Sequence, residues 1–190
     1  MNSLGFDKSE KDTKVVVAMS GGVDSSVAAV MLKKQGYDVI GITLKLYNNS
    51  NISKSKSCCA GIDIEDAKNV ALKHDFKHVV LDYQGKFFDG VISNFVDSYA
   101  NGETPLPCVK CNETVKFSDL LNEAKKIGAD ALATGHYAIR KGSLKNASLH
   151  KAKDFSKDQS FFLFSTLQEQ LNYVRFPLGD YKKSEIRQLA

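Results

Sequence analysis

The chain has 190 residues, 43% apolar and 25% charged, with a formal net charge of +4. That is enough apolar material to bury one domain-sized core and part of a second, and runs such as 15–19 and 161–164 fall far short of the ~20 residues of a membrane-spanning helix, so no membrane partner is expected. The lysines are spread without a dense tract, which permits an RNA partner without announcing one.

Residues 1–13 are polar and charged, with neither the apolar core of a signal peptide nor the acid-poor character of a transit peptide. They are expected to form a flexible leader on a cytoplasmic protein. The β-branched run 15–18 predicts a buried strand, and a helical pattern over 25–35 is closed by Gly36. A second strand is expected at 39–46, a mobile loop at 48–57, a helix at 64–74, a strand at 79–81 and a helix at 87–99 closed by Gly102. The turn-rich stretch 101–112 holds two of the three prolines and is expected as a second mobile loop. A helix follows at 115–127, closed by Gly128, then a strand at 131–133. The pattern loosens into a candidate hairpin over 141–157, resumes as an apolar helix from about Phe161, and ends on an amphipathic helix from Lys182 that carries no cap at Ala190, so the natural protein is expected to continue. Strands alternating with helices of this length imply a doubly wound parallel α/β sheet with helices on both faces. Residues 14–165 are taken as one α/β domain and 166–190 as the start of a connecting region.

Directly after the first strand comes Ser20-Gly21-Gly22-Val23-Asp24-Ser25-Ser26, then a helix pattern. Two glycines allow positive φ and close approach, the hydroxyls of Ser20, Ser25 and Ser26 can donate to phosphate oxygens, and a helix start offers unbonded N–H groups with a partial positive charge. The loop is suited to pyrophosphate. A Walker loop needs G-x-x-x-x-G-K-S/T, and no lysine stands at that place, so ordinary γ-phosphate transfer is disfavoured.

Four cysteines stand as an adjacent pair, Cys58 and Cys59, and a C-x-x-C, Cys108 and Cys111. In a chain without a secretory signal, catalysis or metal binding outranks a structural disulfide. Cys111, expected in a loop beside Lys110 just ahead of a helix, is the better placed nucleophile. A four-cysteine structural zinc site is the competing reading, made awkward by the adjacent pair.

The seven-residue loop resembles the PP-loop of the N-type ATP pyrophosphatases, which include GMP, NAD and argininosuccinate synthetases. GETPLPCVKCNETVKF, SCC followed by GIDIEDA, ATGHYA at 133–138 and KDQSFFL at 157–163 recur in that order in the bacterial tRNA 2-thiouridylases, and the likeness runs from about Lys14 to the end. The resemblance implies a PP-loop ATP pyrophosphatase of the adenine nucleotide alpha hydrolase-like kind, using ATP and magnesium. It also implies, as partners, the anticodon stem-loop of tRNA and a sulfur donor protein, a cysteine desulfurase or sulfur-relay protein. The wobble uridine C2 oxygen would be adenylated and replaced by sulfur carried as a persulfide, giving 2-thiouridine, AMP and pyrophosphate.

Carried over by position, Cys111 is the persulfide-bearing nucleophile. Ala18, Met19, Ser20, Gly21, Gly22, Val23, Asp24, Ser25, Leu44 and Gly135 contact ATP, with Asp24 helping to place magnesium. Leu106, Pro107 and Cys108 line the target-base pocket, and Lys157, Asp158 and Gln159 touch tRNA. The sequence departs from the family at Leu106, usually asparagine, and at Cys108, often aspartate. The family's second catalytic cysteine, in a G-I-C-F-type string, has no counterpart in these residues. Two other readings stand: a PP-loop enzyme acting on a small molecule, and a nucleotide-binding module without turnover.

Overall fold

A computed structural model describes residues 1–46 and 61–190. The expected loop at 48–57 and the pair Cys58 and Cys59 lie outside the described residues.

Strand β1 (Lys14–Ala18) is wholly apolar in its centre, and its alternate residues feed two different cores. Val16 points into one, with Ile42 and Leu44; Val15 and Val17 point into the other, with Val39, Ala131 and Ala133. A strand buried on both faces needs helices on both, and parallel neighbours supply the crossovers that bring them. Accordingly β2 (Asp38–Lys45), β3 (Lys77–Asp82), β4 (Ala131–Thr134) and β7 (Val174–Arg175) join β1 in one parallel sheet of order β3-β2-β1-β4-β7. A separate antiparallel hairpin, β5 (Ile139–Gly142) and β6 (Ala147–His150), follows β4; it overlaps the stretch 141–157 expected to hold one but starts two residues before it.

On one face lie α1 (Val23–Lys34), burying Ala29 and Leu32, and α2 (Gly61–Lys73), burying Ala67 and Ala71. On the other lie α3 (residues 84–100) and α4 (residues 107–126). Both change pitch midway. In α3 the stretch Phe88–Ile92 is π-helical, and in α4 the stretch Asn112–Leu120 is, burying Val115, Phe117 and Leu120. Two shorter helices close the chain, α5 (Gln168–Tyr173) and α6 (Lys183–Leu189).

The four expected strands are all present, and three expectations need correction. The loop assigned to 101–112 is helical from Pro107 onward, because proline suits the first helical position, where no N–H is needed. The helix expected from Phe161 is only a 3-10 turn, Ser160–Leu163: Leu163 alone is buried, while Phe161 and Phe164 are exposed, so the apolar run is not a core stripe. Residues 1–13 are tied down rather than loose. Asn2 donates to Thr13, Ser3 shares a hydrogen bond with the Tyr37 hydroxyl, and Arg175 donates to the Leu4 carbonyl while its guanidinium sits 4.9 Å from the Phe6 ring centre.

Candidate nucleotide and cysteine site

β1 and β4 are neighbours whose following segments leave in opposite directions, so a crevice opens beyond their carboxyl ends. The phosphate loop sits at that switch point. Gly21 has φ of 79°, and a β-carbon there would run into the Asp63 carbonyl at the start of α2. Only glycine lets the loop turn while α2 packs against it. Gly22 begins α1 in an extended conformation with no side-chain cap, which leaves the first-turn N–H groups directed at an incoming anion.

The serines have divided roles. Ser25 is buried; its hydroxyl donates to the Gly22 carbonyl at 3.1 Å and accepts from the Ser20 N–H at 3.1 Å, so it braces the loop. Ser20 lines the cavity, its hydroxyl 3.3 Å from that of Ser25. Ser26, Gly21 and Val23 line a different groove, with Asp66 and Asn69 of α2.

The crevice is a cavity of about 310 Å³. Ala18, Met19, Ser20, Asp24, Ser25, Leu44 and Gly135 line it, seven of the ten residues expected at ATP, and Cys111 lines it too. Ile42, Leu46, Val115 and Leu120 add an apolar wall suited to a flat ring. Gly135 faces the start of α1, where a β-carbon would lie 2.8 Å from the Ser25 nitrogen, so the segment after β4 can approach the α1 backbone this closely only because Gly135 carries no side chain.

Asp24 accepts the Tyr137 hydroxyl at 2.7 Å and the Lys183 ammonium at 2.5 Å, both at Oδ1. Burial and that bond push the Tyr137 phenol upward, so it stays a donor. Neither partner was visible in the sequence as a site residue. Tyr137 lies within ATGHYA, but Lys183 is 159 residues from Asp24 and sits on α6, with no local signal. No hydrogen bond among the described residues occupies Oδ2 of Asp24, which leaves one hard oxygen for a magnesium ion that would also take phosphate oxygens.

His136 shares a hydrogen bond through Nδ1 with the Thr134 hydroxyl at 2.9 Å and stands near Phe117 and Phe176. Burial, helped by the Lys116 charge, pushes its imidazole down to about 3, so the ring is neutral around pH 7.

On α4, Cys108 lies in the first turn and is exposed, while Cys111 is half-buried against the core and faces the cavity. Cys111 is thus inside a helix rather than in a loop ahead of one. Leu106 and Pro107 are exposed at the same helix start, outside the cavity lining. Of the 157–159 segment, Lys157 is exposed. Asp158 is used internally: it accepts from the Ala152 N–H and from the Ser160 hydroxyl. Gln159 reaches the cavity and accepts the Tyr137 N–H at 2.9 Å. Among the described residues no cluster of three His, Cys, Asp or Glu side chains is arranged for a metal.

A parallel sheet opening at its switch point onto a glycine loop, an uncapped helix start and a cavity with an apolar wall defines an α/β nucleotide-binding domain of the adenine nucleotide alpha hydrolase-like kind. Solved structures agree on the fold: a predicted subunit of tRNA methyltransferase from Methanocaldococcus jannaschii superposes with TM-score 0.56 over 93% of this chain and 73% of that one, at 22% identity. The NH3-dependent NAD synthetase of Campylobacter jejuni gives TM-score 0.55 over 96% of this chain and 64% of that one, at 18% identity.

The particular family follows from sequence: residues 13–190 match the tRNA methyl transferase HUP domain, and the chain belongs to that family. Among curated relatives, the tRNA-specific 2-thiouridylase of Rhodospirillum centenum is 58% identical across all of this chain and 49% of its own length. That of Hyphomonas neptunium is 56% identical across all of this chain and 48% of its own. The chain spans about half the length of these relatives.

Proposed function

We propose that this chain is the nucleotide-binding portion of a tRNA 2-thiouridylase, which replaces the C2 oxygen of a uridine with sulfur carried on Cys111. The observation that carries the reading is that the phosphate loop and Cys111, 86 positions apart by residue number (111 minus 25), line a single cavity. The relatives' name supports it for the whole protein.

ATP would supply the leaving group, its α-phosphorus taking the uridine oxygen as pyrophosphate departs, and magnesium would neutralise phosphate charge. The chain's own groups do the rest. The α1 start and the Ser20 hydroxyl bind phosphate oxygens, and Asp24, oriented by the Tyr137 hydroxyl, presents its remaining oxygen to the metal. Ile42, Leu44 and Val115 hold the ring and keep water out. Cys111, held by α4 on the opposite wall, presents the sulfur. Attack of a terminal persulfide sulfur on C2 expels AMP, and a further thiol must then cleave the sulfur–sulfur bond, leaving a disulfide. Leu106, Pro107 and exposed Cys108 would meet the target base, with Lys157 beside it on tRNA phosphate. Sulfur would come from a donor protein, and the reaction suits the cytoplasm.

The test is tRNA-dependent pyrophosphate release with ATP and magnesium, alongside calorimetric ATP binding. Binding should survive in Cys111→Ser and fail in Asp24→Ala, and release should require an unmodified uridine. Release driven by a small molecule with no tRNA present would overturn the substrate assignment.

A further inference from the structure

The side of α4 that faces the cavity carries Cys111, Val115, Lys116 and Leu120. These positions do not share a face of an α-helix. At 3.6 residues per turn, Lys116 would lie about 140° around the axis from Cys111 and Leu120 about 180°. They share a face here because Asn112–Leu120 is π-helical. Bonds closing five residues apart give each turn extra residues, and positions four to five apart come into line. The wider pitch therefore carries a lysine to the cavity wall that an α-helix of the same sequence would direct elsewhere.

That lysine is uncommitted. Lys110 and Lys126, on the same helix, pair with Glu113 and Glu123, and Lys183 pairs with Asp24. Half-buried Lys116 has no carboxylate within ion-pair distance among the described residues, yet its charge is felt at His136. The phosphate loop, for its part, lacks a lysine of its own, and its acidic Asp24 already holds the Lys183 ammonium. A triphosphate entering this cavity brings several negative charges and meets, among the described residues that line it, one cation with nothing else to bind.

We propose that Lys116 is the substrate-facing cation of this cavity, donating to the nucleotide's phosphate on the side of the Cys111 wall, and that the π-helical stretch exists to put it there. The proposal rests on the nucleotide reading of the cavity and adds a residue to it.

Calorimetry of the full chain with ATP and magnesium, and separately with adenosine, tests it. Lys116→Met should weaken ATP about tenfold or more, the loss expected for one hydrogen bond to a charged group, and should leave adenosine unchanged. The salt dependence of ATP affinity should become shallower in the variant, since one screened attraction is gone. Lys116→Arg should retain most of the affinity, and Lys126→Met, an exposed charge on the same helix, should match the wild type. Should the methionine variant melt early, Lys116→Gln carries the same comparison. ATP affinity equal to wild type in a folded Lys116→Met, or an equal loss for adenosine, overturns the role of Lys116 alone. Absence of ATP binding by the folded wild-type chain overturns the nucleotide reading itself, and this with it.

Discussion

The phosphate loop and the cysteine helix face each other across one cavity, yet they are built on opposite plans. The loop is defined locally: a buried strand, two glycines and a helix start, braced within seven residues by Ser25. The cysteine helix is defined from a distance. Its first two residues are exposed, its pitch departs from 3.6, and its register is held by Val115, Phe117 and Leu120 in the core and by the Asn112 amide on the Phe162 carbonyl. A site can thus join one wall that is written in its own residues to another that only packing can place.

The contrast can be broken by mutation. Phe117→Ala, which empties a fully buried site in the π-helical stretch, should cost about 3–5 kcal/mol in urea denaturation. Leu106→Ala, at the exposed start of the same helix, should cost less than about 0.5 kcal/mol. Equal costs would mean that α4 is not anchored from its middle.

On the other wall, Gly21→Val should cost about 3 kcal/mol and abolish ATP binding, because the side chain meets the Asp63 backbone at positive φ. A variant that binds ATP normally would show that the loop is not locked by α2.

Between the walls stands His136, and its effect is pH-dependent. The unfolded imidazole takes a proton near 6.5, the folded one only near 3, so the unfolded chain binds more protons in that window and stability falls as pH drops through it. About 2 kcal/mol should be lost between pH 7 and pH 5 from this residue, with half-buried His78 acting in the same direction. His136→Asn should flatten the acid limb of a melting-temperature profile; an unchanged limb would place the sensitivity elsewhere.

The smallest effect separates the two thiols. Exposed Cys108 should be alkylated several-fold faster than half-buried Cys111, and ATP should slow labelling at Cys111 without altering Cys108. Mass spectrometry of singly labelled protein reads both rates. Protection of Cys108 instead would put the nucleotide against the wrong turn of the helix.

Legibility followed the same divide. The sheet strands and the phosphate loop could be read because β-branched runs and glycines act on their immediate neighbours. Cys111 could be singled out by its motif, but its place inside a helix could not, since the two prolines and Gly102 of the stretch before it read as a turn-rich loop. Lys183 and Tyr137 meet Asp24 only through tertiary folding, and two-residue β7 is too short to carry a period at all. The anchoring of residues 1–13 was missed for the same reason, because its partners are Tyr37 and Arg175.

That anchoring bears on synthesis by the ribosome. The Leu4 carbonyl waits for Arg175, 171 residues later, and Asp24 waits for Lys183. A nascent chain can pair β1 with β2 early, but its first residues and its phosphate loop lack their last partners until nearly all of the described domain has left the exit tunnel. Contacts of such separation are slow to close and leave apolar surface uncovered meanwhile. The interval in which Phe6 and Tyr37 lack the Arg175 strand is therefore the interval in which a nascent-chain chaperone has something to hold.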